Sequence, residues 1–172
     1  RRSRPRTRSG PPWPGARSPE IDQNLLAQPR TPPENTRSMF TEVKSVHFIG
    51  IGGTAMASVA GAMKDKGFVV TGSDQNVYPP MSTFLAAKQI AVMNGYSESN
   101  LNHKPDLVVV GNAISRGNPE AEVVLERKLR FCSLPELLKE YFIRGKRSIV
   151  GTGTHGKTTT TSLLTWVFEH NG

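Results

Sequence analysis

The sequence predicts an α/β protein built on a parallel sheet. Three observations carry this prediction. Val46-His47-Phe48-Ile49 is a strand-like apolar run that ends in Gly50-Ile51-Gly52-Gly53-Thr54-Ala55, a fit to G-x-G-x-x-G/A between a strand and a helix. Asp106 to Val110 is continuously apolar after its first residue, the mark of a parallel strand buried on both faces. A third strand-like run, Arg147 to Val150, leads into Gly151-Thr152-Gly153-Thr154-His155-Gly156-Lys157-Thr158, a complete G-x-x-x-x-G-K-[S/T]. Together they describe a Rossmann-like parallel-sheet domain, followed by the first strand, P-loop and helix of a second, truncated domain.

Composition sets the boundaries. The chain has 172 residues and is 36% hydrophobic, low for a globular protein, and the shortfall is concentrated at one end. Residues 1–38 are rich in Arg, Pro and Ser and cannot bury a core. They hold eight arginines against Glu20, Asp22 and Glu34, and so carry +5 of the formal net charge of +8. The basic character therefore belongs to a tail. With Trp13 as its only aromatic and no periodic apolar face, this tail is a poor nucleic-acid or membrane surface. Its prolines argue against the amphipathic helix of a transit peptide. The chain begins with Arg1, and Met39 stands just before the first strand, so residues 1–38 read as upstream translated sequence or a misplaced start. The expected domains are a disordered tail at 1–42, a Rossmann-like domain at 43–145 and the start of a P-loop domain at 146–172.

The single cysteine, Cys132, sits in an apolar setting, which implies a small buried hydrophobe and a reducing, cytoplasmic location. No run approaches the roughly 18 apolar residues of a membrane span.

Val46 to Ile51 is the expected first strand. Thr54 to Lys66 is a helix, with Ala55, Met56, Val59, Ala60 and Met63 at helical spacing and Gly67 suited to the C′ position. Phe68 to Gly72 is a second strand, ending in Ser73-Asp74. Asp74 follows Gly50 by 24 residues, near the spacing of a carboxylate that holds a ribose hydroxyl; Asp-Gln-Asn is also turn chemistry. Pro79 and Pro80 open a short helix to Lys88, and Ile90 to Met93 is a short strand. The strand at 106–110 ends in Gly111-Asn112-Ala113-Ile114-Ser115-Arg116-Gly117, a polar loop at a strand's carboxyl end, where such sheets bind ligands. Arg116 suits either a phosphate or solvent. Asn118-Pro119-Glu120 reads as N-cap, Pro at N1 and an acid in the first turn of a helix to Lys128. Phe131 to Ser133 is a short edge strand, and Leu134 to Phe142 a helix.

The second glycine loop is a nucleoside triphosphate site in its proper context, with a helix from Thr159 to Glu169 behind it. Backbone N–H groups of Gly153, Thr154, His155 and Gly156 would cradle phosphates. Lys157 supplies a mobile charge, the candidate catalytic group. Thr158 offers a hydroxyl to Mg²⁺, and Thr159 a further phosphate contact. His155 occupies a free position and reads as a loop residue rather than an acid or base. No Walker-B acid follows, so this chain alone is not expected to turn over.

Two phosphate loops about 100 residues apart, the second reading Gly-Thr-His-Gly-Lys-Thr-Thr, resemble the Mur ligases, the ATP-dependent amide-forming enzymes of bacterial cell-wall synthesis. His47 to Gly53 and Asn118-Pro119-Glu120 resemble the branch that acts on UDP-N-acetylmuramate. Gly53-Thr54-Ala55-Met56, Ser73 to Ser82 and Gly111 to Glu120 resemble its peptide-recycling members, which join L-Ala-γ-D-Glu-meso-diaminopimelate to the sugar nucleotide. The L-alanine-adding members usually have Gly at the position of Ala55.

The resemblance covers residues 44–172. It implies that Gly50, Gly52, Gly53, Thr54, Ala55 and Met56 lie along the UDP diphosphate. It further implies that Ser73, Asp74, Asn112, Ala113, Ile114 and Ser115 line the same crevice, and that ATP and Mg²⁺ are used at Lys157 and Thr158. The implied partners are UDP-N-acetylmuramate and the murein tripeptide, with no nucleic acid and no membrane.

Three other readings stand beside this one. One is the L-alanine-adding ligase. Another is a nicotinamide-linked oxidoreductase with Asp74 on the ribose, which the complete P-loop disfavours because hydride transfer needs no triphosphate grip. The last is a nucleic-acid-binding NTPase driven by the arginine tail.

Overall fold

A computed structural model describes residues 39–171. The arginine-rich tail at 1–38 and the terminal Gly172 lie outside the described residues. Five strands form one all-parallel sheet: β1 (Ser45–Ile49), β2 (Val69–Asp74), β3 (Ala91–Asn94), β4 (Leu107–Val110) and β5 (Phe131–Ser133). The helices are α1 (Thr54–Asp65), α2 (Met81–Ala87), α3 (Pro119–Glu126), α4 (Leu134–Leu138) and α5 (Lys157–Asn171), with a 3₁₀ turn at Glu98–Leu101.

The strand order is β3-β2-β1-β4-β5. The chain winds outward from β1 through β2 to β3, then returns to the other side of β1 with β4 and β5. The order therefore reverses between β1 and β4, and the carboxyl ends there form a crevice. Ile49 is level with both Ser73 of β2 and Val110 of β4, so the three loops that follow leave the sheet side by side.

Alternation along β1 divides the core. Val46 and Phe48 join Val70, Leu107, Val109 and Cys132 under α1, α2 and α4. Ile49 joins Val108 on the opposite face, under Val123 and Val124 of α3 and Leu101 of the 3₁₀ turn. Fully buried side chains such as Phe48, Ile49 and Leu107 each contribute about 1.5–3 kcal/mol over exposure. A half-exposed carboxylate fastens the opposite end of the strand pair. Asp106 Oδ2 accepts the Lys44 amide (2.9 Å), the Ser45 amide (2.8 Å) and the Ser45 hydroxyl (2.8 Å), which ties the head of β4 to the head of β1.

Four expected elements differ. β1 stops at Ile49 rather than Ile51, because Gly50 turns at φ +86° and the Gly50 and Ile51 amides both donate to the Ser73 carbonyl. The helix expected at 134–142 is α4 followed by a π-helical turn at Lys139–Ile143, where the Arg144 amide reaches back five residues to the Lys139 carbonyl. Residues 147–150, expected as a strand, have no regular structure. Ile149 and Val150 are 66% and 76% exposed, and no partner strand stands beside them among the described residues. α5 begins at Lys157, two residues before the expected Thr159, and buries none of its residues.

Candidate functional site

The crevice is built from backbone. On one side the turn after β1 is fixed to β2 by the paired bonds to the Ser73 carbonyl. On the other, the Gly111 amide donates to the Ile49 carbonyl at 3.0 Å. Between them α1 opens on Gly53, whose φ and ψ are extended and which offers no side chain as a cap. The first turn of α1 contains no acid, and its first internal bond is Ala57 N–H to the Gly53 carbonyl. The amides of the first turn, Thr54, Ala55 and Met56, and the positive end of the helix dipole therefore remain available to an anion.

A cavity of about 380 Å³ lies at this helix end. Gly50, Gly53, Thr54, Ala55 and Met56 form its floor. Asn112, Ala113 and Ile114 form one wall, and Asp74 and Tyr96 another. Ser115 and Arg116 border an adjoining hollow of about 340 Å³ that shares Tyr96, Ala113 and Ile114.

Asp74 has a definite job in the loop itself. Its Oδ2 accepts the Gly52 amide at 2.8 Å, and its Oδ1 accepts the Asn76 amide at 3.2 Å. A Cβ on Gly52 would stand 2.9 Å from Asp74 Oδ2, so glycine is required for this approach. The carboxylate anchors the glycine loop while still facing the cavity.

Ser73 is placed differently from the expectation. Its side chain is fully buried, does not line the cavity and donates to Glu120 Oε2. The alternation of β2 is the reason: Asp74 and Ser73 point to opposite faces of the strand.

Sequence reasoning missed two residues. Tyr96 follows β3 and reaches the crevice; its hydroxyl would lie 4.0 Å from a Cβ built on Gly50. Burial, aided by the nearby Asp74 charge, pushes its phenol above the ordinary tyrosine value. Glu120, the expected acid in the first turn of a helix, is completely buried. It accepts from the Ser73 hydroxyl, the Asn100 side-chain amide and, at 3.3 Å, the Ser97 backbone amide. His47 Nε2, also completely buried, is 3.7 Å away. Burial raises the Glu120 carboxyl, but contacts from His47, Ser73, Asn100 and Ser97 outweigh it and hold the group below its ordinary range. The only sequence signal was the strand-like pattern that places His47 and Ser73 on one sheet face.

The second loop is exposed. Gly153 and Gly156 take positive φ, and Lys157 Nζ donates to the Gly153 carbonyl at 2.8 Å and the Thr154 carbonyl at 3.3 Å. His155 Nδ1 lies 3.2 Å from the Thr154 hydroxyl. Thr158 and Thr159 occupy the exposed first turn of α5, which carries no acid. Among the described residues, no three His, Cys, Asp or Glu side chains cluster to hold a metal, and no helix is long and apolar enough to cross a membrane.

A doubly wound α/β domain with a switch-point crevice at an uncapped helix, followed by a P-loop, is a nucleotide-binding architecture. Residues 45–145 match the Mur ligase family, catalytic domain, and the chain belongs to the Mur ligase family. It is 50% identical over 130 residues to the UDP-N-acetylmuramate–L-alanyl-γ-D-glutamyl-meso-2,6-diaminoheptandioate ligase of Haemophilus influenzae, covering 76% of this chain and 29% of that protein. The ligase of the same name from Escherichia coli is 46% identical over 127 residues, covering 74% and 28%. The crystal structure of a murein peptide ligase from Psychrobacter arcticus aligns with a TM-score of 0.73 at 44% identity, covering 75% of this chain and 27% of that one. The chain thus spans under a third of the length of these relatives.

Proposed function

We propose that this chain carries the sugar-nucleotide crevice and the ATP phosphate loop of a cytoplasmic ligase that joins L-Ala-γ-D-Glu-meso-diaminopimelate to UDP-N-acetylmuramate in peptidoglycan recycling. The observation that carries the reading is the uncapped, acid-free N-terminus of α1 opening onto the switch-point cavity. A diphosphate is the group such an end accepts. Identity supports the recycling assignment. The tripeptide ligases match at 46–50%, against 38–40% for UDP-N-acetylmuramate–L-alanine ligases of Psychrobacter sp. and Rhizorhabdus wittichii.

In this reading Gly50, Gly52, Gly53, Thr54, Ala55 and Met56 follow the diphosphate, with Asp74 holding the loop in shape. Asn112, Ala113, Ile114 and Ser115 flank the nucleotide. Ser73 acts from beneath the crevice rather than on the ligand. Gly153 to Thr159 take the ATP phosphates: the loop has two positive-φ glycines and a lysine, and no acid opens α5, so the residues present fit a polyphosphate. Thr158 would hold Mg²⁺, which when bound supplies positive charge beside the transferred phosphoryl group. Lys157 supplies charge at the same oxygens and positions them.

In the reaction that the family resemblance implies, the lactyl carboxylate attacks the γ-phosphorus of ATP and ADP leaves. The peptide amine then attacks the acyl phosphate, phosphate departs, and the amine loses a proton as the amide forms.

Calorimetric titration of this chain with UDP-N-acetylmuramate and, separately, NAD tests the reading. Binding of the UDP-sugar alone is expected. Binding of NAD without the UDP-sugar overturns it.

A further inference from the structure

Glu120 makes a connection that the crevice-lining residues do not explain. One carboxylate oxygen takes the Ser73 hydroxyl, on the last turn of backbone before Asp74. The other takes Asn100 and Ser97, in the segment that begins at Tyr96. Asn100 also donates to the Gly95 carbonyl at 3.0 Å, so the Tyr96 segment is held on both sides. Glu120 itself is fixed at the start of α3, where Asn118 Oδ1 accepts the Glu120 and Ala121 amides at 3.0 and 3.2 Å. That helix start follows directly on the Asn112–Arg116 loop. One buried carboxylate therefore joins the roots of three of the segments that surround the cavity, without touching the cavity itself.

We propose that Glu120 is a positioning residue for the sugar nucleotide. It spans from β2 to the Tyr96 segment and so sets the spacing of Asp74 and Tyr96 along the wall they share. This rests on the reading that the crevice binds a UDP-sugar. The requirement is length and two-sided hydrogen bonding. Gln has the same reach: its oxygen can accept from Asn100 and Ser97 while its amide donates to the Ser73 oxygen. Asp keeps the charge but is one methylene short and reaches only one side.

The test measures UDP-N-acetylmuramate affinity by calorimetry on the intact chain, with ¹⁵N spectra of the ligand-free protein. Glu120→Asp should weaken binding at least tenfold, about 1.4 kcal/mol, and Glu120→Gln by less than threefold. In the free protein Glu120→Asp should shift the Gly52 amide and the Tyr96 resonances, while the Cys132 amide on β5 stays in place and reports an intact fold. Equal affinity for wild type and Glu120→Asp, or equal weakening by both variants, overturns the proposal. Should wild type itself not bind, the sugar-nucleotide reading fails, and the free-protein spectra still decide: shifts confined to Glu120→Asp support the positioning role, and their absence overturns it. Should Glu120→Asp not fold, Ser73→Ala removes the β2 side alone. It should move the Gly52 amide and leave Tyr96 unmoved; an unmoved Gly52 overturns the link.

Discussion

Asp74 Oδ2 accepts the Gly52 amide at 2.8 Å, and a Cβ at Gly52 would stand 2.9 Å from that same oxygen. The residue at the end of β2 thus shapes the glycine loop after β1. Asp74→Ala leaves the half-buried Gly52 amide without its acceptor, a loss of about 1 kcal/mol or more. Affinity for UDP-N-acetylmuramate should fall roughly tenfold or more, by calorimetry. Gly52→Ala should weaken binding as well, by pushing the Asp74 carboxylate aside. Wild-type affinity in both variants would show that the loop holds its shape unaided.

The first β-α-β unit was readable for physical reasons that act locally. The glycine turn after β1 marks the strand's end, α1 shows its period, and Gly67 occupies the C′ position expected of it, its amide donating to the Lys64 carbonyl. The crevice followed, because strand order and glycine spacing determine where a carboxyl-end loop lies. What could not be read depends on packing between distant segments. Ser73 and Asp74 are adjacent, yet only the sheet decides which of them faces the cavity. Glu120 reads only as a first-turn acid, and its partners Asn100 and Ser73 are 20 and 47 residues away. Residues 147–150 have the composition of a strand, but a strand needs a partner to take its backbone bonds.

Asp106 should make stability depend on acid. The Lys44 amide first, then the Ser45 hydroxyl and amide, hold its carboxyl below the ordinary range in the folded protein. A depressed folded value means that this contribution is fully present above the unfolded value of roughly 3.9 and is lost as pH falls through the folded value. Urea midpoints of wild type and Asp106→Asn should differ at pH 7, and the gap should narrow progressively below pH ~4. A gap that stays constant down to pH ~2 would remove Asp106 as the cause.

Cys132 should be inert in the native state. It is buried between β4 and α4, and desolvation, helped by the nearby Glu136 charge, pushes its thiol up to about 12. Iodoacetamide at pH ~8 should leave the folded chain unlabelled and modify it readily in denaturant, where a free thiol titrates near 8.5. Rapid labelling of the folded protein, followed by mass spectrometry, would contradict the packing of β5.

Lys157 and the switch-point crevice should separate cleanly by mutation. Lys157 Nζ donates to two carbonyls of its own loop, so in the free chain its charge is held over the P-loop backbone. Polyphosphate oxygens are stronger partners than neutral carbonyls, because their opposite charge adds a Coulomb attraction that a carbonyl lacks. Lys157→Met keeps the length of the side chain and removes the charge. ATP affinity should drop by roughly one to two orders of magnitude, the range of a lost charged hydrogen bond. UDP-N-acetylmuramate affinity should remain unchanged, because Lys157 does not line that cavity. Paired titrations of the two nucleotides on the same variant decide the matter. A matched loss of both would mean that one site binds both ligands, and the assignment of two separate phosphate loops would have to be abandoned.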